Sequence, residues 1–88
     1  MNKDIVETIA RKINHRATVV QYSDEMTYHD KWYALYTLLH LMYEFDNWFY
    51  NAIDDFDSER FFKLCSVRLI MDEVSEHLSD KKIKQKEA

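Results

Sequence analysis

The sequence predicts a small all-α protein, a three-helix bundle with a long central helix. The chain of 88 residues contains no glycine and no proline, although each is common in proteins at several per cent, so the tight turns of β-hairpins are disfavoured. Its apolar residues recur every three or four positions through three long segments, which is the period of an α-helix. A chain of this length allows a single domain.

The first predicted helix covers about residues 3–20. Ile5, Ile9 and Ile13 repeat at a spacing of four, which places them on one face of a helix. Positions 17–23 include β-branched residues, which also suit extended backbone. This segment is therefore predicted to be either a frayed helix end or an extended connection.

The central predicted helix covers about residues 28–54, and its apolar positions form two adjacent seams. Thr27 followed by Asp30 predicts a capping box at its start. A helix that is apolar over most of its circumference is normally covered on two or three sides. The first seam consists of Trp32, Leu35, Leu39, Met42, Asp46, Phe49 and Ile53. The second seam consists of Ala34, Leu38, Leu41, Phe45, Trp48 and Ala52.

The third predicted helix covers about residues 58–78, with Asp55 or Asp57 as its N-cap. Residues 1–80 are therefore expected to form one helical domain, followed by a charged, flexible tail over residues 81–88. The single Cys65 cannot form an internal disulfide, and the first residues contain no uninterrupted apolar run. These two features predict a cytoplasmic protein.

A specific polar contact is predicted inside the bundle. The short connection between the second and third helices favours antiparallel packing, and this places Asp46 opposite Arg68. Both lie among apolar neighbours in the sequence, so a structural ion pair that fixes the helix register is expected. Loss of one partner of such a buried pair costs about 3–5 kcal/mol.

The aromatic residues are too numerous for a thin bundle to bury completely. Aromatic residues make up 15% of the chain and are concentrated in the central helix. Exposed aromatic patches are enriched at protein interfaces, so a homo-oligomer that forms through the long helix is expected. The residues predicted for this interface are Trp32, Tyr36, Tyr43 and Tyr50.

The charge distribution indicates the chemistry of a partner. Between residues 21 and 59 the chain has nine acidic residues and one lysine, which suits a protein with a basic surface and disfavours direct nucleic-acid binding. Charged and polar residues interrupt the central segment, so a membrane span is also excluded. The predicted partner-binding residues are Trp48, Asp54, Asp55, Asp57 and Glu59.

No catalytic, nucleotide or metal motif is present, so the sequence favours a non-enzymatic interaction factor without a cofactor: an inhibitor, an adaptor or an immunity-like protein. One alternative is an oligomeric module for a nucleotide-like or other anionic metabolite, with Lys31, Arg11 and Arg16 as its basic residues. A metal-dependent enzyme is the weakest alternative, because the spacing of its candidate ligands is not that of di-iron bundles. Those candidates are His40, Glu44, Glu73 and His77.

Overall fold

A computed structural model describes residues 3–87 of the chain and the side chains of residues 4–78. Within these residues it contains four helices and no strand. The helices are α1 (Lys3–Gln21), α2 (Tyr28–Ala52), α3 (Ser58–Cys65) and α4 (Val67–Glu87). The predicted all-α class is confirmed, whereas the described chain has four helices where three were predicted.

The helix starts follow the capping chemistry that the sequence predicts. At α2 the Thr27 hydroxyl accepts a hydrogen bond from the Asp30 amide at 3.1 Å, and the Asp30 carboxylate accepts one from the Thr27 amide at 3.4 Å. Asp57 caps α3 by accepting from the Arg60 amide at 3.2 Å. The ambiguous segment after position 17 continues α1 as far as Gln21.

The predicted third helix is divided at Ser66, which has a left-handed backbone with φ of 51°. Cys65 and Val67, on either side of it, are both fully buried. In one continuous helix these two residues would lie about 200° apart, and only one of them would face the core. The break therefore resets the helix so that the apolar faces of α3 and α4 both point inward.

The last helix is longer than the sequence analysis predicts. It continues to Glu87, nine residues beyond the expected end at residue 78. Residues 79–87 contain no glycine or proline, and six of the nine are lysine, glutamine or glutamate, which are strong helix formers. Residue 88 of the predicted tail lies outside the described residues.

Three contacts define the directions of the helices. Lys31 near the start of α2 donates to the carbonyl of Gln21 at 2.8 Å, as expected for antiparallel neighbours. Gln21 donates to Glu73 of α4 at 2.6 Å. At the other end of α1, Arg60 of α3 donates to Glu7 at 3.3 Å. Helix α1 therefore runs parallel to the α3–α4 pair, and both are antiparallel to α2.

The core is formed by the first seam of α2 together with the inner faces of the other helices. Phe49 is completely buried and its ring lies within 6 Å of four other rings, those of Phe45, Trp48, Phe56 and Phe61. Among the residues whose side chains the structure describes, no polar or charged residue is buried as a whole. The buried core residues are Val6, Ala10, Ile13, Ala17, Leu35, Met42, Phe49, Ile53, Phe61, Cys65, Val67, Ile70, Met71 and Val74.

The bundle is elongated, with principal extents of 55, 21 and 15 Å and a radius of gyration of 15.5 Å. A compact domain of this length has a radius of gyration of about 12 Å. An elongated shape leaves more of each helix uncovered, and this leaves part of the apolar surface of α2 in solvent.

Replacing Ser66 by glycine is expected to stabilise the fold by about 0.5–1 kcal/mol. A residue with a Cβ atom pays about 1–2 kcal/mol in the left-handed region, and part of the gain is lost to the greater entropy of glycine in the unfolded chain. Chemical denaturation measures the difference. As a matched control, Ser75→Gly within regular α4 is expected to destabilise by about 0.5 kcal/mol, and destabilisation by both variants would contradict the assigned break.

Burial raises the pKa of the Cys65 thiol from 9.0 to about 11. Between these values the unfolded chain loses the thiol proton while the folded chain retains it. The free energy of unfolding therefore decreases as the pH rises, by up to about 2–3 kcal/mol from this residue. Denaturation of the wild type and of Cys65→Ala at pH 8 and pH 10.5 tests this, because the decline should be smaller in the variant.

Candidate protein-interaction surfaces

The loop between α2 and α3 borders a groove at one end of the bundle, which we call the end groove. Its volume is about 110 Å³. Its floor is apolar and includes Ile53 and Phe61, which are buried, and Leu64, which is 40% exposed. Its rim is formed by charged residues from α1, the loop and α3. The lining residues are Val6, Glu7, Ile53, Asp55, Phe56, Asp57, Arg60, Phe61 and Leu64.

The rim of the end groove carries an excess of negative charge. Glu7 lies between two arginines, with Arg11 at 3.7 Å and Arg60 at 3.3 Å, so its charge is largely balanced. The four carboxylates of the loop and of the start of α3 are exposed. In the part of the chain that the structure describes, none of these four forms an ion pair. They are Asp54, Asp55, Asp57 and Glu59.

Asp55 has a left-handed backbone with φ of 62°. Aspartate and asparagine occupy this region several times more often than other residues that carry a Cβ atom. The conformation turns the chain sharply between Ile53 at the end of α2 and Asp57 at the start of α3. The sharp turn brings the carboxylates of Asp55 and Asp57 to the same groove.

The structure brings together part of the predicted partner-binding set. Asp55 and Asp57 line the end groove, whereas Trp48 belongs to the preceding turns of α2, with 48% of its surface exposed. The Trp48 ring packs on Phe45 and Phe49 at centroid distances of 6.0 and 5.7 Å. Helices α1 and α3 also contribute to this groove, and the sequence pattern does not predict this. Val6 and Glu7 of α1 are far from the loop in the sequence and meet it only through the packing of the helices.

The residues predicted for an oligomer interface recur at helical spacing along one side of α2. Tyr36 stacks on Trp32 at 5.2 Å and meets the ring of His40 at 4.5 Å. Tyr43 packs edge-to-face on Phe62 at 5.4 Å. We call Trp32, Tyr36, Tyr43 and Tyr50 the tyrosine face. Tyr50 is 68% exposed, whereas Trp32 is only partly exposed.

A second groove lies between α1 and α2, and we call it the side groove. Its volume is about 220 Å³. Its α2 wall is the second seam, with Leu41 39% exposed. The α1 wall adds two isoleucines and two basic residues at its edge. The lining residues are Ile9, Lys12, Ile13, Arg16, Leu38, Leu41 and Phe45. In the sequence, the signal for this groove was the second seam together with basic residues beside the isoleucine stripe of α1.

The predicted ion pair between Asp46 and Arg68 does not form. The side chain of Arg68 is exposed, and the Oδ1 atom of Asp46 is buried without a hydrogen-bond partner. The ring contacts of Tyr28 with His77 and Tyr43 with Phe62 set the actual register. This register places Arg68 level with about position 37 of α2, which is about 13 Å from Asp46 along the helix. The break at Ser66 also turns Arg68 outward.

The side chains named for the two alternative functions are dispersed. His77 stacks on Tyr28, and Glu73 accepts from Gln21. Among the described residues no group of three or more His, Cys, Asp and Glu side chains is arranged to hold a metal ion. The three basic residues of the metabolite hypothesis also have separate surroundings, since Lys31 lies over the Tyr28 ring, Arg11 pairs with Glu7 and Arg16 lines the side groove.

Comparison of the chain with protein-family models, with curated proteins and with solved structures finds no match. In the described part of the chain, no helix combines the length and apolarity that a membrane crossing requires.

Replacing Asp46 by leucine is expected to stabilise the protein by about 1–3 kcal/mol, because it removes a buried oxygen that lacks a partner. Arg68→Ala is expected to change stability by less than about 0.5 kcal/mol, since the side chain is exposed and has no ion pair with Asp46. Chemical denaturation measures both. Asp46→Asn, which keeps a polar group at the site, is the control for the first variant. A decrease of about 3 kcal/mol in the free energy of unfolding of Arg68→Ala would instead support the predicted ion pair.

Proposed function

We propose that this protein is a non-enzymatic interaction factor, such as an inhibitor, an adaptor or an immunity-like protein. It binds a basic surface of another protein through the end groove and the acidic residues around it. The observation that supports this most directly is an apolar groove whose rim bears exposed carboxylates that no cation of the described chain neutralises.

The end groove suits a particular type of contact. Its floor accepts an aliphatic or aromatic side chain, whereas Asp55 and Asp57 at the rim attract lysine or arginine beside it. Arginine in particular forms bidentate hydrogen bonds with carboxylates. A partner segment with an apolar residue flanked by basic residues satisfies both features. The excess negative charge also accelerates encounter with such a partner.

Other features of the bundle support the same class of function. The exposed side chains of Trp48 and Tyr50 lie on the last turns of α2, close in sequence to the acidic loop. Tryptophan and tyrosine are frequent energetic anchors at protein interfaces. The four carboxylates and these two rings together provide an acidic and aromatic end of the molecule, which argues against direct nucleic-acid binding because phosphate repels it.

The test is capture of partners with two charge-neutralised forms of the protein as bait. In the first, Asp55→Asn and Asp57→Asn remove the rim charges while asparagine retains the left-handed turn at position 55 and the helix cap at position 57. Quantitative mass spectrometry of proteins bound from the source cells should show a basic partner that is retained by the wild type and lost by this variant. Raising the salt concentration from 50 to 300 mM should weaken the same interaction.

The matched control is Asp24→Asn with Glu25→Gln, which removes the same charge from the loop at the opposite end of α2. Both of these residues are exposed. Retention of the partner by this variant assigns binding to the end groove. Equal losses in both variants would show that only the overall charge matters, and a partner bound equally by all three baits would exclude the end groove.

A further inference from the structure

We propose that two copies of this chain form a symmetric dimer through the side groove, with α1 of each copy lying over α2 of the other. This surface is distinct from the end groove, so the proposal does not depend on the partner proposed above. It also differs from the tyrosine face that the sequence analysis selected for self-association.

The apolar part of the side groove provides the contact area. Leu38 and Phe45 are partly exposed and pack on the core, and Leu41 between them is 39% exposed. Ile9 and Ile13 complete the opposite wall. An apolar strip of this kind is buried when a second helical layer packs on it.

The edges of the groove carry charges of opposite sign. On the α1 edge lie Lys12 and Arg16. On the other side, Glu44 is exposed on the polar strip of α2 that borders the second seam. None of these three residues forms an ion pair among the described residues of the chain, where the ion pairs join Glu7 to Arg11 and Arg60. The α1 edge of the side groove is therefore positive, and the α2 edge is negative.

The heights of these charges along the bundle make the surface complementary to itself. Lys31 contacts Gln21 at one end of the α1–α2 pair, and Ile53 shares the end groove with Val6 at the other. This register places Lys12 level with about position 43 of α2. A two-fold axis parallel to the helices lays α1 of one copy over α2 of the other without changing height. Lys12 of each copy then meets Glu44 of the other, giving two equivalent ion pairs.

The tyrosine face is less suited to this contact. The rings of Tyr36 and Tyr43 are already packed on neighbouring rings of the same chain. Their hydroxyl groups also require hydrogen-bond partners when they are buried. The second seam has no such groups at Leu38, Leu41 and Phe45, so it is the apolar surface of α2 that gains more from a second copy.

Charge reversal tests the proposed register. Lys12→Glu and Glu44→Lys each convert both intermolecular ion pairs into like-charge contacts, so each variant alone is expected to dimerise about tenfold or more weakly than the wild type. Sedimentation equilibrium measures the dimer Kd. An equimolar mixture of the two variants should dimerise as tightly as the wild type, because each contact in the mixed dimer again joins an acid to a base. Failure of the mixture to recover would overturn the register.

Two further variants distinguish the faces. Leu41→Glu places a charge in the side groove and is expected to abolish the dimer, whereas Tyr50→Glu places one on the tyrosine face and is expected to leave the dimer Kd within about twofold. Circular dichroism establishes that each variant is helical before its mass is measured. A wild-type chain that remains monomeric at millimolar concentration overturns the proposal. Loss of the dimer in Tyr50→Glu but not in Leu41→Glu also overturns it.

Discussion

The apolar circumference of α2 is the constraint on which the rest of this structure depends. Its first seam is buried through Leu35, Met42, Phe49 and Ile53, and α1, α3 and α4 all pack on this side. Because α1, α3 and α4 pack on the same side of α2, they do not surround it, and the second seam is left partly exposed. The thin bundle that results buries a continuous core and yet presents two grooves, one at its end and one along its side.

The break at Ser66 reconciles two apolar patterns that no single helix satisfies. Phe61 and Cys65 define one inward face, and Val67, Ile70, Met71 and Val74 define another. One residue with a left-handed backbone changes the direction of the chain between them. The strain of that residue is local, whereas the gain is the burial of side chains on both sides, each contributing about 1.5–3 kcal/mol when fully buried. The same change of direction leaves Arg68 and Leu69 in solvent.

The two grooves divide the charges of the molecule into surfaces with different chemistry. Around the end groove the exposed charges are mainly carboxylates, and Arg11 and Arg60 both form ion pairs with Glu7. Along the side groove the exposed charges are of both signs and lie on opposite edges. A surface of one sign suits a partner of the opposite sign, while a surface with both signs at equal heights suits a copy of itself. The proposed partner and the proposed dimer therefore occupy separate surfaces.

The sequence by itself determined the helical class, the approximate extent of α2, its capping box and its two apolar seams, because these depend on local periodicity and on side chains three or four residues apart. It also indicated that aromatic residues such as Trp48 and Tyr50 remain exposed. Only the tertiary structure decided the division at Ser66, the register that separates Asp46 from Arg68, and the residues of α1 that complete both grooves. These features depend on contacts between segments far apart in the chain, and the energy of a left-handed residue is offset only by burial that the folded core provides.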